Sequence, residues 1–362
     1  MALREKIQAG EPTVTGGQAE DRSGSWRRGG DVRPVTGLLT LLLGAIFSLL
    51  VPATAVAQVQ WLSPTLGEIQ LRADVRETYY PNERVRQQGT ELKIFEERGG
   101  LSFPIWQNAT DELSFSGSVR YQDLDTGDTP AILPGAQVQL PGDLWEIKFG
   151  PTYRHKFENG WIAGMNVEVG SSSNRPFHSI DEVTARATAF LRVPQGERNA
   201  WIFTLNYTNY SEYFSGFPVP GIDFLYSPND DFTLVFGFPF TYLQWKLFEK
   251  LTLEMSYRPV RTVTAKVTYE VFRPLRVYAG FDWDDDWYLR ADRERTSHRL
   301  FYYEKRLTGG IRFDLKHVGF EVSGGYAFDR FYFEAEKYSD RNNNRIDIHS
   351  GPFVIGKISV RF

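Results

Sequence analysis

The stretch VGFEVSGGYAFD, Val318 to Asp329, reads as a strand with two unlike faces. Val318, Phe320, Val322, Tyr326 and Phe328 fall on one side. Gly319, Glu321, Ser323, Gly325 and Asp329 fall on the other. Side chains alternate across a strand with period two, so the two faces must meet different surroundings. Thr262 to Val271 repeats the pattern, with Val263, Ala265, Val267, Tyr269 and Val271 against Thr264, Lys266, Thr268 and Glu270. So does Leu251 to Arg258. Upstream, Trp201, Phe203, Leu205 and Tyr207 alternate with Thr204 and Asn206, and similar runs centre on Leu113, Trp145, Trp161 and Val183. The first strand is expected at Glu68 to Arg76.

Turn signals separate the runs. Glu158-Asn159-Gly160, Gln195-Gly196-Glu197, Pro228-Asn229-Asp230 and Lys316-His317 are short. Leu124 to Asp143, Tyr288 to His298 and Ala335 to Ser350 are longer and more polar. Strands joined alternately by short and long connections fit an all-β, antiparallel up-and-down transmembrane β-barrel with short periplasmic turns. Threading the alternation back from Phe362 puts both chain ends on the periplasmic side, which requires an even strand number. The count is ~14, within about 12 to 16, and Pro228 and Pro239 blur the stretch Ile222 to Leu247.

The N-terminus sets the compartment. Val35 to Val51 is an apolar run, Arg33 precedes it, and Ala55-Val56-Ala57 follows it. A basic flank, an apolar core and a small-residue site make a secretory signal peptide, and the run is short for a retained helix. Residues 1–57 are therefore expected as the signal segment and 58–362 as the barrel. The polar stretch Met1 to Asp31 is long for such a segment and points to a start near Val32. The absence of cysteine rules out a disulfide framework, thiolate metal site or lipoprotein anchor. Aromatics at 15% suit interfacial girdles. A net charge of -4 with scattered basic residues gives no footprint for nucleic acid.

Alternation alone also fits a soluble sandwich. A closed barrel of this strand number, however, has a lumen too wide for side chains to fill as an apolar core. The apolar faces then belong in lipid. The polar faces carry both signs of charge, and Arg120, Lys148, Glu168, Arg186, Lys266, Glu270, Arg312, Asp314 and Glu321 are expected to line the lumen.

The chain closes with Gly356, Ile358, Val360 and Phe362 at alternating positions. This resembles the terminal strand of Gram-negative outer-membrane barrels, closed by an aromatic residue. The resemblance implies an outer-membrane location and implies that the barrel assembly machinery reads Ile358, Val360 and Phe362. The stretch Phe217 to Phe240, FPVPGIDFLYSPNDDFTLVFGFPF, also looks like segments of uncharacterised barrel families, and that likeness implies no activity.

Chemistry-bearing constellations are few. Asp284, Asp285, Asp286 and His298 loosely resemble the rim of barrel proteases, without a residue-by-residue match. A solvated acidic strand end explains them as well. Asp340 to Asp347 has the oxygen rhythm of a calcium loop, but Arg345 stands where the sharp turn needs glycine. Trp283 and Trp287 suit the outer interface, with Asp282, Asp284 and Asp286 facing water or divalent ions. Tyr213 to Pro220, YFSGFPVP, is uncharged and aromatic, and either folds into the lumen or caps the rim. No catalytic residue, metal site or cofactor is assigned. The expected partners are membrane lipid, the assembly machinery and a small solute. The leading function is a porin-like channel, and mixed lumen charge predicts weak ion selectivity. A closed structural or binding barrel acting through its loops is the alternative, and an outer-membrane hydrolase the third.

Overall fold

The computed structural model describes residues 63–134, 136–210, 215–258, 262–342 and 345–362. The expected signal peptide lies outside the described residues. Sixteen strands form the barrel wall. They are β1 (Arg72–Arg84), β2 (Glu91–Gln107), β3 (Asp111–Asp125) and β4 (Asp143–Lys156). β5 (Ile162–Ser173), β6 (Val183–Gln195), β7 (Asn199–Thr208) and β8 (Val219–Asn229) follow. Then come β9 (Phe232–Phe238), β10 (Thr241–Phe248), β11 (Leu251–Arg258) and β12 (Thr262–Phe272). β13 (Leu275–Tyr288), β14 (Arg299–Asp314), β15 (Val318–Ala335) and β16 (Gly351–Arg361) complete the wall. Each pairs antiparallel with the next, and β16 closes on β1 with Arg72 opposite Arg361 and Tyr79 opposite Val354.

The expected all-β barrel is therefore present, at the upper end of the expected strand range. Two regions account for the difference from the count of about 14. β2 hides in the sequence because Glu96-Glu97-Arg98 and Gly99-Gly100 break its alternation. The proline-interrupted stretch Ile222 to Leu247 contains all of β9 and most of β8 and β10. The first strand begins at Arg72 rather than Glu68, because the preceding residues leave the wall.

The outward faces carry exposed Trp201, Phe203, Leu205 and Tyr207 on β7, Met255 and Tyr257 on β11, and Phe320, Val322 and Tyr326 on β15. Val354, Ile358 and Phe362 continue this band on β16. Such a surface gains about 25 cal/mol per Å² on leaving water, so its stable partner is lipid. An apolar outside and a charged inside make this chain a bacterial outer-membrane β-barrel. Asp329 departs from the expected face: its φ of 53° marks a bulge, and it pairs outside the barrel with Lys305 at 2.7 Å.

Strand length varies strongly around the wall. β2, β14 and β15 have 17, 16 and 18 residues, whereas β9, β10 and β11 have 7, 8 and 8. The extra length stands at the outer end, because the turns at the other end are short. At ~3.4 Å per residue, the tall side extends well past the membrane. It has its own apolar core of Tyr80, Leu92, Ile94, Leu144, Leu300 and Phe353, into which Leu133 and Leu140 of the β3–β4 loop are packed.

Candidate functional site

The inner faces of the tall strands hold a charged layer just below that core. Glu96 accepts from Arg98 at 2.5 Å, Arg120 at 2.7 Å and Gln122 at 2.9 Å. Arg306 reaches Asp284 at 3.0 Å and Glu304 at 3.3 Å. Tyr80 and Tyr302 donate their hydroxyls to Glu304 at 3.0 and 2.9 Å, and Arg330 lies 3.7 Å from it. Glu96, Glu304 and Arg306 are each only 2% exposed. Burying charges is costly unless each is paired and hydrogen-bonded, and these are.

The network crosses the lumen. Arg120 on β3 is ion-paired with Asp286 on β13, and Tyr288 donates to Gln122 at 3.1 Å. At the outer tips the Leu289 amide donates to the Ser172 carbonyl at 2.7 Å, and the Ala291 amide to Asn174 at 2.9 Å. The β13 and β5 ends thus meet across the mouth. This corrects the expectation that the lumen is too wide to fill. Its outer part is pinched, and one half is largely filled by the charged layer and the apolar core above it.

A strap formed by the β13–β14 loop lies over the pinch. Arg293 donates to Glu182 at 2.9 Å, and to the carbonyls of Arg290 at 2.7 Å and Asp181 at 2.8 Å. Arg290 pairs with buried Glu334 at 2.5 Å. Glu182 sits in the β5–β6 loop, clear of the membrane. Burial pushes its carboxyl up, but bonds from the Ser179 hydroxyl and amide and the charge of Arg293 outweigh this and hold it below the usual value. A depressed folded value contributes stability above the unfolded pKa, and that stability is lost as pH falls through the folded one. The strap is therefore expected to loosen below about pH 4. Amide exchange over residues 290–298, corrected for its intrinsic pH dependence, should accelerate there, and Glu182→Gln should reproduce the effect at neutral pH. Unchanged exchange in both cases would contradict this.

The periplasmic mouth is crossed by residues 63–71. The Ile69 amide donates to Gln107 at 2.9 Å, and the Gly67 amide to Glu112 at 3.1 Å. Arg154, ion-paired with Glu112, also donates to the carbonyls of Ser63 and Thr65, both at 3.3 Å. Leu66 is buried against inward-facing Ile162 and Phe190. Gly67 has φ +83°, and a Cβ there would lie 2.7 Å from the Asn108 carbonyl oxygen, so only glycine allows this approach.

The opposite arc differs. Arg186 on β6 keeps 53% of its side chain exposed, and Lys246 on β10 keeps 44%. Gln244 is exposed, and Asn206, Ser256 and Thr264 are half-buried, all pointing inward.

All nine lumen candidates lie on inward faces, with different neighbours. Arg120 belongs to the packed half. Lys148 is paired with Glu146 on its own strand. Glu168 and Arg186 stand 4.0 Å apart. Lys266 lies over the Tyr278 ring at 3.7 Å, and Tyr278 donates to Glu321 at 2.5 Å. Arg312 lies 2.8 Å from Asp314 and 3.8 Å from Glu321, while Glu270 is 3.8 Å from Arg273 and Arg276. Ile358, Val360 and Phe362 share the outward face of β16.

Sequence reasoning missed Glu96, Glu304, Arg306 and Arg330. The outer ends of β14 and β15 are covered on both faces. Inside lies the charged layer, and outside Phe301 stacks on Phe333 and Tyr303 on Phe331, with Tyr338 packed edge-on against Phe301 and Phe333. No alternation survives where both faces are buried.

The other candidates are placed as follows. Asp284 and Asp286 face inward onto arginines rather than water or divalent ions, and Asp282 lies 4.0 Å from Arg306. His298 stands 3.9 Å from Glu334, and among the described residues no bond joins it to those acids. Asp347 is taken by Arg345 at 3.0 Å. In the YFSGFPVP stretch, Tyr213 and Phe214 lie outside the described residues, and Phe217 is exposed at the rim.

No protein-family model matches the chain, and no curated protein does either. Solved structures share its general architecture. An outer-membrane channel from Pseudomonas putida F1 is 12% identical, with 81% of this chain and 95% of that one covered and a TM-score of 0.36. A deletion mutant of the monoaromatic hydrocarbon channel TodX is 9% identical, covering 81% and 89%, with a TM-score of 0.37. A Pseudomonas aeruginosa FadL homologue is 12% identical, covering 81% and 89%, with a TM-score of 0.33. Likeness at this level carries no inference about solute or mechanism.

Proposed function

We propose that the barrel is a passive channel for small solutes, with its water path off axis along β5–β7 and β10–β12. The observation that carries this is the contrast between the two halves of the lumen. Glu96 and Arg306 on one side are 2% exposed, whereas Arg186 on the other is 53% exposed. Glu168, Arg186, Lys266 and Glu270 stand along the path, and their opposite signs favour weak ion selectivity. Reconstituted into planar bilayers, the protein should give stable openings of low conductance. Silence over a wide voltage range would defeat the reading.

The closed structural barrel remains a second reading, because Arg120–Asp286 and the Leu289–Ser172 bond tie the lumen across. Liposomes that fail to swell in small sugars would favour it. The outward row Ile358, Val360 and Phe362 is proposed as the feature that the barrel assembly machinery reads, and the apolar belt as the contact with membrane lipid. Removing Phe362 should then lower the inserted fraction in cells while leaving refolding into detergent intact. Equal insertion would count against that role.

A further inference from the structure

Two buried side chains of opposite charge lie on one inner row, and among the described residues neither is in an ion pair. Arg192 on β6 is opposite Ile202 on β7, and Ile202 is opposite Asp223 on β8. Two strand spacings put the Arg192 and Asp223 Cα atoms about 10 Å apart. Arg192 is 3% exposed and Asp223 5%. The Arg192 Nε and the Asp223 Oδ1 have no hydrogen-bond partner among the described residues.

The surroundings are mostly apolar, with the Arg154 guanidinium, itself ion-paired with Glu112, the charged neighbour of Arg192. Ala200, Ile202, Leu225 and Val235 form a buried cluster with Phe240 and Tyr242 against it. The Phe240 amide donates a hydrogen bond to the Asp223 carboxylate and leaves Oδ1 without a partner. Gly237 stands opposite Asp223, where a Cβ would collide with the Ile222 carbonyl oxygen and come 2.7 Å from Oδ1, so only glycine allows the two strands to approach this closely beside the carboxylate. Leu66 and Phe190 bound the row on the other side, next to Arg192.

Uncompensated buried charge is strongly destabilising, and buried polar groups without partners are rare. Here a cation and an anion are held apart over an aliphatic floor. One ligand chemistry satisfies both: a carboxylate for Arg192, an ammonium for Asp223 and an apolar carbon skeleton over Ile202. We infer that this row is a binding site for zwitterionic, amino-acid-like solutes with an apolar side chain. The inference deepens the channel reading and rests on it for the route by which solute reaches the row.

Calorimetric titration of the full protein in detergent tests it with three probes. Leucine carries both charges, 3-methylbutylamine only the ammonium, and 4-methylpentanoate only the carboxylate. Leucine should bind saturably, and each singly charged analogue should bind weaker by roughly ten- to a hundredfold. Arg192→Gln and Asp223→Asn should each weaken leucine by a similar factor. Equal binding of all three probes, or none, overturns the site on the wild-type protein alone, whether or not the variants fold. Stability coupling between Arg192 and Asp223 in a double-mutant cycle, with leucine not bound, also overturns it, since the two would then serve each other. Bilayer openings without leucine binding would leave the channel standing and remove the site. Leucine binding without openings would do the reverse.

Discussion

Glu96→Ala is expected to destabilise the barrel by about 3–5 kcal/mol, the usual result of stripping one partner from a buried ion cluster. The carboxylate serves Arg98, Arg120 and Gln122 at once. Its loss leaves buried Arg120 and half-buried Arg98 short of countercharge, and Arg120 is also the residue that reaches across to Asp286. The damage should spread from the β2–β3 wall to the trans-lumen pinch. Denaturant unfolding in detergent, followed by heat-modified mobility, measures the total loss. Glu96→Gln keeps the shape and the acceptor oxygen but removes the charge, so it should fall between wild type and alanine. A loss below about 1 kcal/mol would place this cluster with surface ion pairs and contradict its burial.

Cysteine accessibility should divide the lumen into two halves with reactivities about two orders of magnitude apart. The chain has no cysteine, so each introduced thiol reports alone. Gln244→Cys and Thr264→Cys point into the open half. Thr78→Cys and Gln122→Cys lie in the packed half, where the native residues are 0% and 1% exposed. A charged, membrane-impermeant thiol reagent should label the first pair quickly and lower any bilayer conductance. The second pair should react only through local opening. Uniform labelling would mean that the packed half is wet and that the path runs along the axis.

Much of the wall was legible because it obeys a local rule. Where lipid lies on one side and water or charge on the other, each strand records the contrast in its own alternation. Leu251–Arg258 and Thr262–Phe272 were readable for that reason, and so was the outward row ending at Phe362. Where both faces are covered, the rule has nothing to report. Phe301 to Arg306 on β14 packs aromatics outside and charges inside. Glu96 to Gly100 on β2 sets a charge cluster beside two glycines. Both stretches therefore escaped the pattern and took the principal ion network with them.

The candidate site was legible only as a set of inward positions. Alternation told which way Arg120 and Arg186 point, since that is a property of one strand. It could not tell that Arg120 would be buried on Asp286 while Arg186 stays half in water. That difference depends on barrel closure, which brings residues 166 positions apart, such as Gln122 and Tyr288, into hydrogen-bond contact. It depends equally on strand length: tall strands fold a core above the membrane, and short ones leave the lumen beside them open. The sequence by itself therefore determined which solvent each face meets, because alternation is written residue by residue. Only the tertiary structure decided which inner charges pair, which inner side chains are buried and which exposed, and that Arg192, Ile202 and Asp223 share one inner row, because those follow from distances between strands.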